Sequence, residues 1–310
     1  MADYLLCDYN KKLMKSKSTR DPRKDKKKDC TSEPVCSGKR LTQAAVRKFR
    51  EMIYRHYRRH GRSLPWRMTH NPYYILVSEI MLQQTQVQRV MGKYEPFIRA
   101  FPDFSSLARA SLRTVLREWQ GLGYNRRAIA LKQIAQRVMK EFQGKLPSSV
   151  EVLITFPGIG EATAASIAAF AFHTPTVFIE TNIRRVFIHG FFHDRTNIRD
   201  AEILPLVEQT LDTSHPREWY YALMDYGVML KQKQVNPNRR SAHYQKQSPF
   251  HGSNRQVRGM ILKALTAESY LSEQEIAQRL QIPFEKIKNN LDQLEKEGFI
   301  ERKGNRMRVV

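Results

Sequence analysis

A chain of 310 residues carrying a formal net charge of +23, with 15 Phe, 13 Tyr and 3 Trp, has the apolar mass for a packed core and an excess of base that selects polyanions as partners. It contains no run of about 18 apolar residues, and its first ten residues, MADYLLCDYN, lack the flanks of a secretory signal, so neither a membrane span nor a secreted product is expected. Its three cysteines, Cys7, Cys30 and Cys36, crowd into the first 40 residues at spacings that match no zinc or disulfide framework, which fits a reducing, intracellular compartment where DNA is found, nucleoid or nucleus.

Residues 1–40 hold twelve Lys or Arg against six acids without apolar periodicity and read as a disordered basic arm. From Leu41 to Leu230 apolar residues recur at three and four, as in AAVRKFREMIYRHYRRH and NRRAIALKQIAQRVMKEF, and breakers fall at Ser63 to Pro65, Phe101 to Asp103, Gly121 to Gly123, Gly144 to Pro147 and Pro157 to Gly160. The expectation is an all-α body with short connections. Residues 231–255 contain six basic residues and no acid among scattered Pro, Gly, Asn and Ser, a basic linker or loop. A last unit, 256–310, opens with a helix from Gln256 to Ala267. A second helix begins at the capping box Ser272 to Glu275, and a third starts with Pro283 as its first residue and stops at Gly298. FIER and RMRVV then flank a turn at Lys303-Gly304-Asn305. Three helices and a basic hairpin describe a small winged helix-turn-helix, usable as a DNA grip or as a protein-interaction module.

Pro157-Gly158-Ile159-Gly160 lies between two helical segments. Its glycines permit a tight turn and close approach of another backbone, and the amides that open the following helix can hold a phosphate with help from the helix dipole. An ordinary turn between packed helices is the competing reading; the hairpin could also hold a monovalent cation. Glu79 has Ile75, Leu76, Leu82 and Gln83 as its neighbours at three and four, a mostly apolar face that would desolvate a carboxyl group and favour its protonated form. The residues alone leave open whether Glu79 is such an acid or a partly buried Glu paired with an Arg.

The stretch FPGIGEATAASI resembles the helix-hairpin-helix of the HhH-GPD DNA glycosylase superfamily. The resemblance continues in order through LPWRMTHNPYYILVSEIMLQQTQV, WQGLGYNRRA, FIETNIRRV and ALMDYGVM, over residues 41–230, and SEIMLQQTQV is especially similar to the MutY-type adenine glycosylases. It implies a glycosylase fold of two helical subdomains and monofunctional excision of adenine mispaired with 8-oxoguanine or guanine. The implied partner is double-stranded DNA, engaged by a monomer. The family's catalytic Glu falls on Glu79, while Glu180 stands where the family places an Asp, one methylene longer, so that its charge moves by about 1.5 Å. Gln83 and Gln84 are implied at the lesion, Tyr124 as a wedge that fills the gap left by the extruded base, and Pro157, Gly158, Ile159, Gly160, Arg184 and Arg185 among the DNA contacts. Bifunctional relatives carry a Lys where this chain has Ala162. The family's cluster cysteines fall on Lys231, Asn238, Ser241 and Gln247, so no iron-sulfur cluster is expected, and the electrostatic part of that loop passes to Lys231, Lys233, Arg239, Arg240 and Lys246. No segment resembles the family's C-terminal nucleotide-hydrolase-like domain. The competing readings are a thymine or uracil mismatch glycosylase, a DNA-binding sensor or regulator without chemistry, and a general packing protein.

Overall fold

The computed structural model describes residues 40–246 and 249–310, so residues 1–39 of the basic arm, with the three cysteines, and Gln247 lie outside the described residues. Helix α1 (Gln43–His60) leads through a 3-10 turn (Pro65–Arg67) to α2 (Pro72–Leu82), α3 (Val87–Ala100), α4 (Phe104–Arg109), α5 (Leu112–Trp119), α6 (Arg126–Glu141), α7 (Val150–Ile154) and α8 (Glu161–Phe172). Then come α9 (Thr181–Phe191), α10 (Asp200–Thr210), α11 (Pro216–Lys233) and a second 3-10 turn (Pro237–Arg240). Most starts have a local cause: Thr42, Asn71, Asp103, Ser111 and Ser149 each accept a first-turn amide, and Pro72 and Pro216 occupy first-turn positions where no amide partner is lost.

Two lobes result. In one, α2 packs on α8, α4 on α6 and α7 on α8; in the other, α1 and α9 pack against α11, with α10 beside α1 and α9. The small side chains of ATAASIAAFAF bring α8 close to α2, whose residues Tyr73, Ile75, Leu76, Val77, Ser78, Ile80 and Met81 are all buried. A helix that is apolar nearly all round belongs inside, which makes Glu79 its one charged exception. Trp119, Trp219, Tyr220, Phe97, Phe156 and Phe187 fill the interior. At Gly227 of α11 a β-carbon would stand 2.5 Å from the carbonyl oxygen of Asn182, so glycine is what lets α11 cross the start of α9.

The C-terminal unit comprises α12 (Asn254–Ala267), β1 (Leu271–Ser272), α13 (Glu273–Leu280), α14 (Phe284–Lys296), β2 (Ile300–Lys303) and β3 (Arg306–Val309). Its sheet runs β1-β3-β2, antiparallel throughout, with Leu271 opposite Met307 and Ile300 opposite Val309: a winged helix-turn-helix. Four details differ from expectation. Helix α11 continues three residues past Leu230, and α12 starts two residues before Gln256 because Ser253 caps it through the Gln256 amide. Pro283 is the extended N-cap of α14 (ψ 136°) rather than its first helical residue. Strand β1 is two residues long and shows no alternation to read; it is defined by pairing with β3.

Candidate active site

A cavity of about 300 Å³ opens between the lobes, lined by Arg67, Glu79, Gln83, Gln84, Ala162, Ser166, Glu180 and Tyr221 among others. Glu79 enters from α2. Its Oε2 lies 2.6 Å from Ser166 Oγ, which is also 3.0 Å from the carbonyl oxygen of Thr163. The Ser166 hydroxyl donates to Glu79 and shares its proton with the Thr163 carbonyl. Burial pushes the Glu79 carboxyl up to about 7, against the Ser166 contact and with a smaller push from the Glu180 charge. The side chain contacts Ser166, not an arginine as in the alternative of a Glu paired with an Arg.

Glu180 enters from the other lobe, as the extended residue that caps α9. Its Oε1 accepts the Asn182 and Ile183 amides at 2.7 and 2.9 Å, and its Oε2 accepts Asn182 Nδ2 at 3.1 Å. Burial pushes this carboxyl up as well, opposed by those three donors and by the Arg185 charge. Arg185 orients Asn182 by donating to its Oδ1 at 2.7 Å, and is itself held by the Gly227 carbonyl and by Asn236 Oδ1 at 2.7 and 2.9 Å. It is 3% exposed, so of the two arginines expected as DNA contacts Arg185 is a buried brace. Arg184 is bidentate with Asp200 at 2.7 and 2.6 Å. Two adjacent arginines at the start of a helix do not reveal in sequence which of them faces a packed neighbour.

Gln83 and Gln84 part company at the end of α2. Gln83 donates to the Gly158 carbonyl at 3.0 Å and tethers the hairpin to the cavity rim, whereas Gln84 is exposed with a left-handed φ of 53°. In the hairpin Gly158 has φ 74° and a β-carbon there would lie 3.1 Å from that of Ala130; Ile159 is buried; Gly160 begins α8 without a side-chain cap, leaving the first-turn amides to an outside acceptor. Tyr124 stands at the tip of a second loop, left-handed at φ 48° and 36% exposed. Arg127 ties the two tips together. Its Nη1 donates to the carbonyls of Ile80, Met81 and Gln83 at the end of α2, its Nη2 donates to Gly123, and its guanidinium lies 5.5 Å from the centre of the Tyr124 ring.

The loop after α11 is held by polar contacts. Asn238 donates from Nδ2 to the Thr181 carbonyl at 2.8 Å, Ile198 and Ser241 form a parallel bridge, and the Arg240 guanidinium takes the carbonyls of Ile188, Phe192 and His193 at the end of α9. Asn238, committed to Thr181, and Ser241, whose hydroxyl accepts the His243 amide, bear no thiolate and do not fit an iron-sulfur cluster. Among the described residues no group of three or more His, Cys, Asp or Glu could hold a metal ion. Arg240 is therefore a helix cap in this structure, while Lys231, Lys233, Arg239 and Lys246 are exposed. His243 and Tyr244 line a second cavity that adjoins the first and shares Gln84, Glu180 and Asn182 with it.

Sequence reasoning passed over Ser166, Arg127 and the ion pair behind the cavity. Asp225 accepts Arg67 Nη1 and Nη2 at 2.9 Å each and the Arg62 amide at 2.8 Å; despite burial, these contacts hold its carboxyl below the ordinary value. Arg67 in turn lies 4.4 Å over the Tyr221 ring. The available signal was the pair of motifs LPWR and MDYG, each carrying one charge inside an apolar run.

Helical lobes that meet at a carboxylate-lined cavity, next to a glycine hairpin, define a class that the comparisons bear out. Residues 77–207 match the family described as HhH-GPD superfamily base excision DNA repair protein, and residues 255–301 match winged helix-turn-helix DNA-binding. The adenine DNA glycosylase of Mycobacterium tuberculosis (strain CDC 1551 / Oshkosh) is 33% identical over 244 residues, covering 69% of this chain and 77% of that protein. That of Buchnera aphidicola subsp. Baizongia pistaciae is 36% identical over 187 residues, 59% of this chain; the match spans only 52% of the relative's length. A thermostable thymine-DNA glycosylase superposes with a TM-score of 0.56 at 24% identity, over 62% of this chain and 90% of that one, a likeness of fold alone. The chain belongs to the adenine DNA glycosylase family of the HhH-GPD superfamily.

Proposed function

We propose that the protein is a monofunctional DNA N-glycosylase that removes adenine mispaired with 8-oxoguanine or guanine, and that it does so without an iron-sulfur cluster. The observation that carries this reading is the pair of carboxyl groups in one cavity, one poised near neutrality and one held by three N-H donors. Cleaving an N-glycosidic bond leaves electrons on the base and positive charge on the sugar. Glu79 would give its proton to the departing base as the bond to C1′ breaks, and the Glu180 carboxylate would stabilise the sugar cation until water adds there. That water releases a proton as it adds, and the Glu79 carboxylate can take it back. A cavity of about 300 Å³ suits a single base taken out of the stack. Ala162 lines it where an amine would be needed for a Schiff base, which supports hydrolysis without strand cleavage.

In this reading Gln84 and Tyr124 meet the opened duplex, Pro157 to Gly160 hold a backbone phosphate, and Arg239 adds charge along the strand. Gln83 supports the hairpin. The net charge of +23 fits double-stranded DNA as partner. Among the described residues no helix is long and apolar enough to cross a membrane. The test is single-turnover base release from duplexes carrying adenine opposite 8-oxoguanine, adenine opposite guanine, and thymine or uracil opposite guanine. Release of adenine, leaving an intact abasic strand, is the expected result; release of only the pyrimidines, or of no base, would overturn it.

A further inference from the structure

The winged helix is bolted to the glycosylase lobe at both ends of α12. At the C-terminal end Arg113 of α5 donates to the carbonyls of Thr266 and Ala267 at 3.1 and 3.3 Å, and Gln120 donates to Thr266 Oγ1 at 2.7 Å. Beside α12 the Glu297 carboxylate receives Arg126 at 2.6 and 2.8 Å and Arg258 at 2.5 and 3.0 Å, which holds it down at about 2. At the N-terminal end Arg255 donates from Nη1 to the Tyr124 hydroxyl at 2.8 Å, with its guanidinium 5.7 Å from the centre of the ring. Tyr124 thus has Arg127 of its own lobe and Arg255 of the second unit on the same ring.

The arginines of the β2-β3 hairpin and Lys286 of α14 are spent on internal contacts, while Lys288 and Lys303 are exposed. Arg302 pairs with Glu273, Asp292 and Glu295; Arg308 with Glu301 and the Tyr270 hydroxyl; Arg306 donates to the Tyr270 carbonyl; and Lys286 donates to the carbonyl of Gly252. An independent DNA grip would leave its recognition helix and wing charged and open. Here the hairpin arginines are paired within the unit, and Arg255 of α12 reaches the loop that carries Tyr124.

We infer that Arg255 is a positioning residue for Tyr124, and that the winged helix serves as a brace for the tip that opens the duplex. The inference rests on the glycosylase reading, in which Tyr124 is that tip. An aromatic ring entering a base stack must be held in one orientation while the stack resists, and a ring ordered beforehand does not lose that freedom at the moment of insertion. Arg127 fixes the loop backbone through the Gly123 carbonyl, and Arg255 fixes the far end of the side chain through its hydroxyl.

The experiment uses the full chain and a duplex with 2-aminopurine beside the mismatched adenine, whose fluorescence rises when stacking is broken. Arg255→Met and Tyr124→Phe should each slow the rise by about fivefold, the scale of one hydrogen bond or cation-π contact at a part-exposed site. The double variant should be no slower than Arg255→Met alone, because that change already removes the hydrogen bond that Tyr124→Phe deletes. Arg255→Lys, which keeps a donor, should recover part of the rate. Effects that multiply in the double variant would overturn the inference and make Arg255 a separate contact, such as a phosphate ligand; so would an Arg255→Met protein that opens DNA at the normal rate. Opening is read without base release. A wild-type protein that opens the duplex with this coupling and frees no base would refute the proposed chemistry and leave the brace standing.

Discussion

Glu79 and Glu180 line one cavity, both pushed up by burial, yet their surroundings assign them opposite work. Glu79 sits on a helix buried on nearly every side, with one hydroxyl donating to it. Glu180 caps a helix and faces three N-H groups, none of which can accept. Three donors and the Arg185 charge favour the charged form at Glu180, whereas at Glu79 burial outweighs the single Ser166 contact. The lesson is that burial sets how costly a charge is, and the number of donors facing each carboxyl decides which one keeps its proton.

The largest expected effect breaks the comparison at the Glu79 end. Glu79→Gln keeps the volume and the contact with Ser166 but has no acidic proton, so the single-turnover rate of adenine release should fall by roughly 10³-fold while mismatch binding persists. A rate within tenfold of wild type would remove Glu79 from the chemistry. The same carboxyl has a signature in stability. Its folded value near 7 lies above the ordinary 4.5, so the folded state is favoured with Glu79 protonated, and that contribution is lost as pH rises from 4.5 through 7. Between pH 5 and 8 the wild type should therefore lose on the order of 3 kcal/mol relative to Glu79→Gln in urea unfolding. Parallel curves would show that Glu79 ionises as easily folded as unfolded.

At the opposite wall, Glu180→Gln replaces an acceptor with an amide that confronts the Asn182 side chain. We expect about 10²-fold slower base release, together with about 1 kcal/mol of lost stability from the weakened cap of α9. Glu180→Asp sharpens the point, because Asp is also a good cap: full activity would mean that the extra methylene is dispensable. A Glu180→Gln protein destabilised by that amount yet fully active would confine Glu180 to capping.

What the sequence disclosed of this site follows from how local each cause is. Glu79, the hairpin glycines and the Ser272 to Glu275 box are legible because their reasons lie within four residues: an apolar helix face, a left-handed turn, a cap. Arg127, Ser166 and Asp225 matter through partners 42 to 47, 87 and 158 to 163 residues away, and no window along the chain contains both ends. Arg184, Arg185 and Arg240 show the same limit from the other side. Their charge is visible in the sequence, but Asp200, Gly227 and the end of α9 absorb it only once the helices pack. The winged helix was readable as a unit; that its first helix reaches Tyr124 was not, since 131 residues separate Arg255 from that hydroxyl.

The smallest effect tests whether the loop after α11 belongs to the Glu180 end alone. Asn236 Oδ1 holds Arg185, Arg185 holds Asn182, and Asn182 donates to Glu180. That series ends at Glu180, whereas Glu79 has its partner, Ser166, on α8. Asn236→Ala should consequently cost about 1 kcal/mol of stability and slow base release about fivefold, as one link of a hydrogen-bonded series is lost. The falling limb of the rate, about tenfold per pH unit above the Glu79 value, should stay where it is. A limb displaced by a full unit in Asn236→Ala would mean that the loop also sets the electrostatics around Glu79, and the two ends of the cavity would then have to be treated as one coupled titration.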